Sequence, residues 1–165
     1  MIVVAAYLSV SDLIGEKTKA LQAHNAADKQ TGAYGDIAVT LMNDNRIVTS
    51  YEMKRRSVTK SDINIAIKKF AESKTDIDNY IFITTEKIDP KVLDYAKSIY
   101  ISLGVEVAIF DCIGFIRHFL HFFHRKRTLF LENYQKLVLK EPDSAVNQPL
   151  KEALLILRKV AEIEN

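Results

Sequence analysis

Three charged side chains stand where two neighbouring strands would end. In GDIAVTLMNDNRIVTSYEMKRRSVTKSD, Gly35 to Asp62, Asp36 opens one alternating segment, and Glu52 and Lys54 close the next. Two carboxylates on one sheet surface repel each other, and a single ammonium offsets this only in part. A doubly charged hard cation is their natural complement. Mg²⁺, with Mn²⁺ as a substitute, is satisfied by one or two carboxylates, water and phosphate oxygens. Residues two apart on a strand share a face, about 7 Å apart at the backbone. Glu52 can therefore hold the ion while Lys54 reaches an attacking water or the phosphate it attacks. Met53 turns its side chain to the core and offers its carbonyl as a further ligand. A bound metal acidifies water and stabilises a departing oxygen, and the point charge of a lysine suits a transition state at phosphorus.

These groups meet only if the strands pair in one register. IAVTLM and RIVTSYEM alternate around Asn43-Asp44-Asn45 as a hairpin does. Setting Met42 opposite Arg46 places Ile37 against Tyr51, Val39 against Thr49 and Leu41 against Ile47, with the apolar side chains on one surface. The other surface carries Asp36 opposite Glu52, Ala38 opposite Ser50, and Lys54 one step beyond. A slip of one residue would mix the two faces.

Around the hairpin, helical spacing runs from about Ser9 to Ala23 with Ser11 as a capping residue, and Asn25 to Gly35 reads as a loop. Thr59-Lys60-Ser61-Asp62 resembles a capping box, with Asp in place of Glu, before a helix whose apolar row is Ile63, Ile67 and Phe70. Tyr80 to Thr85 is a continuous apolar strand. Asp89 and Pro90 open a helix with Val92, Leu93, Ala96, Ile99 and Tyr100 on its inner stripe, and Val105 to Phe110 is a further strand. This alternation predicts an α/β fold, a central mixed sheet flanked by helices. Helical sequence then resumes, with Phe115, Phe119, Leu120 and Phe123 on one face. Glu141 to Pro149 reads as a linker, and Leu150 to Ile163 as a final amphipathic helix. The expected organisation is a core over residues 1–112 and a helical C-terminal extension, 113–165, packed on the same domain.

The bulk numbers agree with one soluble domain: 165 residues, 48% hydrophobic and 27% charged. No apolar run reaches the roughly 18 residues of a membrane span, and MIVVAAYLSV lacks the basic region and cleavage site of a signal peptide. The single cysteine, Cys112, excludes an internal disulfide and a thiolate metal cluster, which suits a reducing cytoplasm. Net charge is only +2, but cations gather at Lys54, Arg55, Arg56 and Lys60, and again at His124, Arg125, Lys126 and Arg127. Such clusters fit a local anionic partner or, equally, two solvated faces. Arg55 and Arg56, beside Lys54, are expected to make backbone or substrate contacts with such a partner, and Arg125, Lys126 and Arg127, on a helix end, to contact phosphates. His118, His121 and His124 spread over roughly 120° of a helix with no carboxylate to complete a metal set, so they read as a polar face near DNA or solvent rather than a zinc site.

Asp36 followed by Glu52-Met53-Lys54 on the adjacent strand is similar to the signature of the PD-(D/E)XK nuclease superfamily. The wider string TGAYGDIAV…YEMK…VTKSDI resembles the type II restriction endonucleases of the SacI kind. The close likeness covers Asn25 to about Ala66, and Gly35 stands where the superfamily usually has proline. The resemblance implies a restriction-endonuclease-like core, Asp36 and Glu52 as Mg²⁺ ligands, and Lys54 as the catalytic lysine. It also implies a further acid from a helix preceding the hairpin, for which Glu16 is the match. The implied activity is metal-dependent hydrolysis of DNA phosphodiesters, in restriction–modification or in repair and recombination. Cutting both strands at one place takes two active sites, so a homodimer is expected. Two other readings stay open at this point. One is a nucleic-acid-binding module that keeps the fold without hydrolysis; the other is an interaction protein whose acids form a salt-bridge patch at a sheet edge. Asp28, Gln30 and Thr31, in the loop entering Asp36, would contact DNA or fix that loop.

Overall fold

The apolar run that opens the chain has no polar face, and a helix apolar nearly all round belongs in an interior. In the computed structural model, which describes residues 1–19, 35–73, 77–141 and 147–163, this run is helix α1, Ile2–Ile14. It buries Val3, Val4, Ala5, Ala6, Tyr7, Ser9 and Val10. Gly15, at φ 73°, ends it in the left-handed conformation that glycine adopts without strain, its N–H bonded to the Ser11 carbonyl. The helix expected from Ser9 to Ala23 is therefore displaced toward the N-terminus. Ser11 caps nothing: its hydroxyl donates back to the Tyr7 carbonyl at 2.5 Å, inside a helix already under way. Glu16–Thr18 follows as a short strand, β1. Asp28, Gln30 and Thr31 lie outside the described residues.

The remaining strands are β2 (Ile37–Leu41), β3 (Ile47–Lys54), β4 (Asn79–Thr84) and β5 (Glu106–Asp111), and the sheet order is β1-β2-β3-β4-β5. The first two pairings are antiparallel and the last two parallel, so the sheet is mixed. Helices α2 (Lys60–Ser73) and α3 (Pro90–Leu103) are the crossovers that parallel neighbours require. They cover one face, where Ile63, Phe70, Val92, Ala96 and Ile99 pack on Tyr80, Phe82, Val107 and Ile109. Burying a side chain such as Phe82, with no exposed surface, contributes about 3 kcal/mol. Asp89 caps α3 by accepting from the Lys91 N–H at 2.9 Å, with Pro90 in the first turn. Of the expected inner stripe, Tyr100 turns out instead, 62% exposed.

The opposite face belongs to α1, whose Val3, Val4 and Tyr7 meet Ile37, Val39, Tyr51 and Ile83. The far side of α1 is covered in turn by α4 (Cys112–Phe122) and α5 (Arg127–Lys140), joined by a 3-10 turn at His124–Lys126. Phe119 and Phe130 bury against Ala5, Ala6 and Val10 there. α6 (Gln148–Ile163) packs on α5. No helix among the described residues is long and apolar enough to cross a membrane.

Hairpin register follows the alternation over its open half, with Ile37 opposite Tyr51, Ala38 opposite Ser50 and Val39 opposite Thr49. Toward the turn it slips: Thr40 pairs with Ile47, and Val48 becomes the extra residue of a β-bulge. Leu41, expected opposite Ile47, pairs with Glu16 of β1. Val48 accordingly joins the α1 side while Ile47 packs on the α2–α3 side.

Candidate functional site

Open α/β sheets present their sites at the carboxyl ends of parallel strands, where loops and helix starts converge. Here β3, β4 and β5 end side by side, Lys54 level with Thr84 and Thr84 with Asp111. At that end Glu52 and Lys54 meet directly, Lys54 Nζ 2.5 Å from Glu52 Oε1, with side chains 22% and 17% exposed. The other oxygen, Glu52 Oε2, accepts the Tyr80 hydroxyl. Tyr80 is fully buried, its ring 6.0 Å from that of Phe70 and 5.1 Å from that of Phe82. A phenol wedged in this way holds the glutamate in one rotamer.

Asp36 reaches the same strand end through the main chain. Its N–H donates to the Tyr51 carbonyl at 2.8 Å, and its Oδ2 accepts the Met53 N–H at 2.6 Å. The carboxylate is thus pinned to the residue between Glu52 and Lys54. Gly35 permits this approach: a Cβ there would lie 2.5 Å from the Tyr51 carbonyl oxygen and 2.9 Å from Ser50 Oγ. Neither alanine nor proline fits, which explains why glycine precedes Asp36.

Behind Lys54 lies the start of α2. Thr59 and Asp62 form the reciprocal cap that the sequence predicts. Thr59 N–H donates to Asp62 Oδ2 at 2.9 Å, and the Asp62 N–H to Thr59 Oγ1 at 3.2 Å. Asp62, its side chain 5% exposed, also receives both arms of Arg56, at 2.8 and 2.6 Å, and lies 3.5 Å from Lys54 Nζ. The Arg56 hydrogen bonds hold the Asp62 carboxyl well below the usual carboxylate range. Burial alone would lower the pKa of Lys54, but Glu52 and Asp62 outweigh it and hold the ammonium above its ordinary value.

No family model matches the chain, and no curated protein does. The donor chemistry must speak for itself. Two carboxylates and a main-chain carbonyl are hard oxygen donors of the kind Mg²⁺ takes, with water and phosphate completing its sphere. Among the described residues no group of three or more His, Cys, Asp or Glu side chains is placed to hold a metal ion. Of the acids at the β3 end, Asp62 is taken by both arms of Arg56, which leaves Asp36 and Glu52 for an ion.

Other expected residues fall elsewhere. Glu16 is on strand β1, not a helix, opposite Leu41 at the turn end of the hairpin. Asp36 lies five residues back along β2, about 17 Å away. Glu16 instead takes the Tyr7 hydroxyl at 3.4 Å, and that hydroxyl is 3.1 Å from the Tyr51 hydroxyl on the α1 face. Arg55 is exposed beside Lys54, whereas Arg56 is committed to Asp62. Arg125, Lys126 and Arg127 are at the wrong end. α4 leaves the carboxyl end of β5 and runs back for 11 residues, about 16 Å. There Lys126 stands 3.8 Å from Asp12 near the end of α1, and Arg127 Nε donates to the Leu120 carbonyl at 2.8 Å. His118 lies beside Phe122, the rings tilted and their centroids 5.8 Å apart, in the lining of an apolar pocket.

Sequence reasoning missed Tyr80, and missed Asp62 as a partner of Lys54. For Tyr80 the signal is a hydroxyl opening YIFIT, where every residue after it is apolar or β-branched. For Asp62 it is the lysine and arginine just upstream of a capping acid.

Proposed function

We propose that the protein is a metal-dependent DNA endonuclease with a restriction-endonuclease-like core, acting at the carboxyl end of β3. One observation carries this reading: Glu52 and Lys54 touch on one face of β3 while the Asp36 carboxylate is bound to the N–H of the residue between them. Asp36 and Glu52 would hold Mg²⁺ or Mn²⁺, with the Met53 carbonyl available to it. Such an ion, when bound, supplies an acidified water and neutralises charge on the leaving oxygen. Lys54, kept protonated by its acidic neighbours, serves as a charged donor that orients the nucleophile and stabilises the phosphorane charge. Tyr80 fixes Glu52, and exposed Arg55 stands ready for a phosphate of double-stranded DNA. Hydrolysis joins the water oxygen to phosphorus and breaks the bond from phosphorus to the departing sugar oxygen. A type II restriction role, a cytoplasmic location and a homodimer belong to the same proposal, since two strands need two such sites.

Supercoiled plasmid with Mg²⁺ tests it. The wild type is expected to nick or linearise the plasmid, and Lys54→Ala and Asp36→Ala to leave it supercoiled. Cutting that survives both substitutions overturns the assignment. A second reading has one observation in its favour: the Lys54–Glu52 ion pair occupies an oxygen the metal needs. A site that stays closed in this way is a nucleic-acid-binding module, and binding without cutting by the wild type would select it.

A further inference from the structure

We propose that Asp62 is a positioning residue for Lys54, the acceptor that takes over the ammonium when a divalent cation occupies Glu52. This rests on the function proposed above and adds a residue to it.

The ammonium of Lys54 has two carboxylates before it, Glu52 Oε1 at 2.5 Å and Asp62 Oδ1 at 3.5 Å. A divalent cation on Glu52 must displace it from the first. The second is built to receive it. Asp62 Oδ2 accepts three hydrogen bonds, from Arg56 Nη1 at 2.8 Å, Thr59 N at 2.9 Å and Thr59 Oγ1 at 2.7 Å. Oδ1 accepts one among the described residues, from Arg56 Nη2 at 2.6 Å. Oδ1 is thus the less heavily used of the two oxygens, and it is the one 3.5 Å from Lys54 Nζ. Closing the gap from 3.5 Å to a charge-assisted hydrogen bond takes a shift of roughly 0.7 Å, within reach of the terminal torsions of a lysine. Arg56, forked across both oxygens, also keeps a metal ion off Asp62, so the cation is directed to Glu52 and the ammonium to Asp62. A helix cap alone would need Thr59 and nothing of Arg56 or Lys54. After the exchange the ammonium is still anchored at the strand end, beside the water and phosphate, rather than released into solvent.

The test uses the full chain with ¹⁵N-labelled lysine and three proteins: wild type, Asp62→Asn, and Thr59→Ala, which weakens the cap but leaves Asp62 its charge. The Lys54 Nζ signal is followed as Mg²⁺ is added. In the wild type and Thr59→Ala it is expected to shift and stay protected from solvent exchange; in Asp62→Asn it is expected to lose protection once Mg²⁺ binds. Plasmid cleavage should fall roughly 10- to 100-fold in kcat for Asp62→Asn, with KM little changed, and stay near wild type for Thr59→Ala. Equal protection in all three proteins under Mg²⁺, or an Asp62→Asn protein that loses Tm but keeps kcat, overturns the proposal. A wild type that takes up Mg²⁺ without moving the Lys54 signal overturns it as well. If Asp62→Asn fails to fold, the wild-type titration decides alone, since loss of protection there shows that Asp62 does not hold the ammonium. A wild type that never cuts DNA sinks the nuclease reading, while the Lys54 signal still answers the question about Asp62.

Discussion

At the carboxyl end of β3, Lys54 and Arg56 are interlocked with Glu52 and a buried Asp62, and the two acids and two bases neutralise one another. At the far end of α4, Arg125, Lys126 and Arg127 form an equally basic string, yet Arg127 closes a helix carbonyl and Lys126 leans on Asp12 across solvent. As sequence the two runs look alike. Pairing distinguishes them: the first lies on a strand whose register brings acids from its own face and from the next helix, whereas the second lies at a helix junction whose neighbours are aromatic. Cation density is a poor guide to a site, and the acids that the fold folds back onto the cations are a better one.

The comparison predicts unequal damage. Lys54→Ala or Glu52→Gln should lower plasmid cleavage by about 100- to 1,000-fold, while Arg125→Ala should leave the rate within about twofold; comparable losses at both ends would erase the distinction. Gly35→Ala comes next. Its Cβ has no room against the Tyr51 carbonyl, so chemical denaturation should show a loss of about 1–3 kcal/mol, with the Asp36–Met53 bond disturbed and cleavage reduced.

The third contrast is with pH. The Asp62 carboxyl is depressed in the folded chain, so its contribution is complete above the unfolded value, near 3.8, and is lost as pH falls below that toward the folded value. Melting followed from pH 5 downward should therefore drop less steeply in Asp62→Asn than in the wild type, and an identical slope would show that the carboxylate is not held. Smallest of all, Arg127→Ala should cost about 0.5 kcal/mol, one exposed hydrogen bond, with cleavage unchanged.

Much of this arrangement was legible. Alternation fixed the open half of the hairpin, because a one-residue slip there would expose Ile37, Val39 and Tyr51, all buried in the fold. The cap at Thr59 and Asp62 was readable because capping is a local hydrogen-bond pattern that needs no tertiary partner. α1 was not: MIVVAAYLSV is apolar nearly all round and mostly buried, so it carries no polar periodicity to mark its start, and only Gly15 announces its end. Placing Glu16 on a helix followed from that error. The link from Lys54 to Asp62, and from Glu52 to Tyr80, depends on how β4 and α2 pack against β3. No spacing along one strand encodes such distances.

The extra residue at Val48 has a mechanical consequence. Because the ladder is already out of step between Val39 and Thr40, the turn half of the hairpin, tied to β1 through Gly15, Glu16 and Lys17, does not share the register of the half that ends in Glu52 and Lys54. Lengthening or trimming the tip around Asn43 and Asn45 should be absorbed as slack at that kink, so this loop is the place where a reporter or affinity handle could be grafted without shifting the charged end.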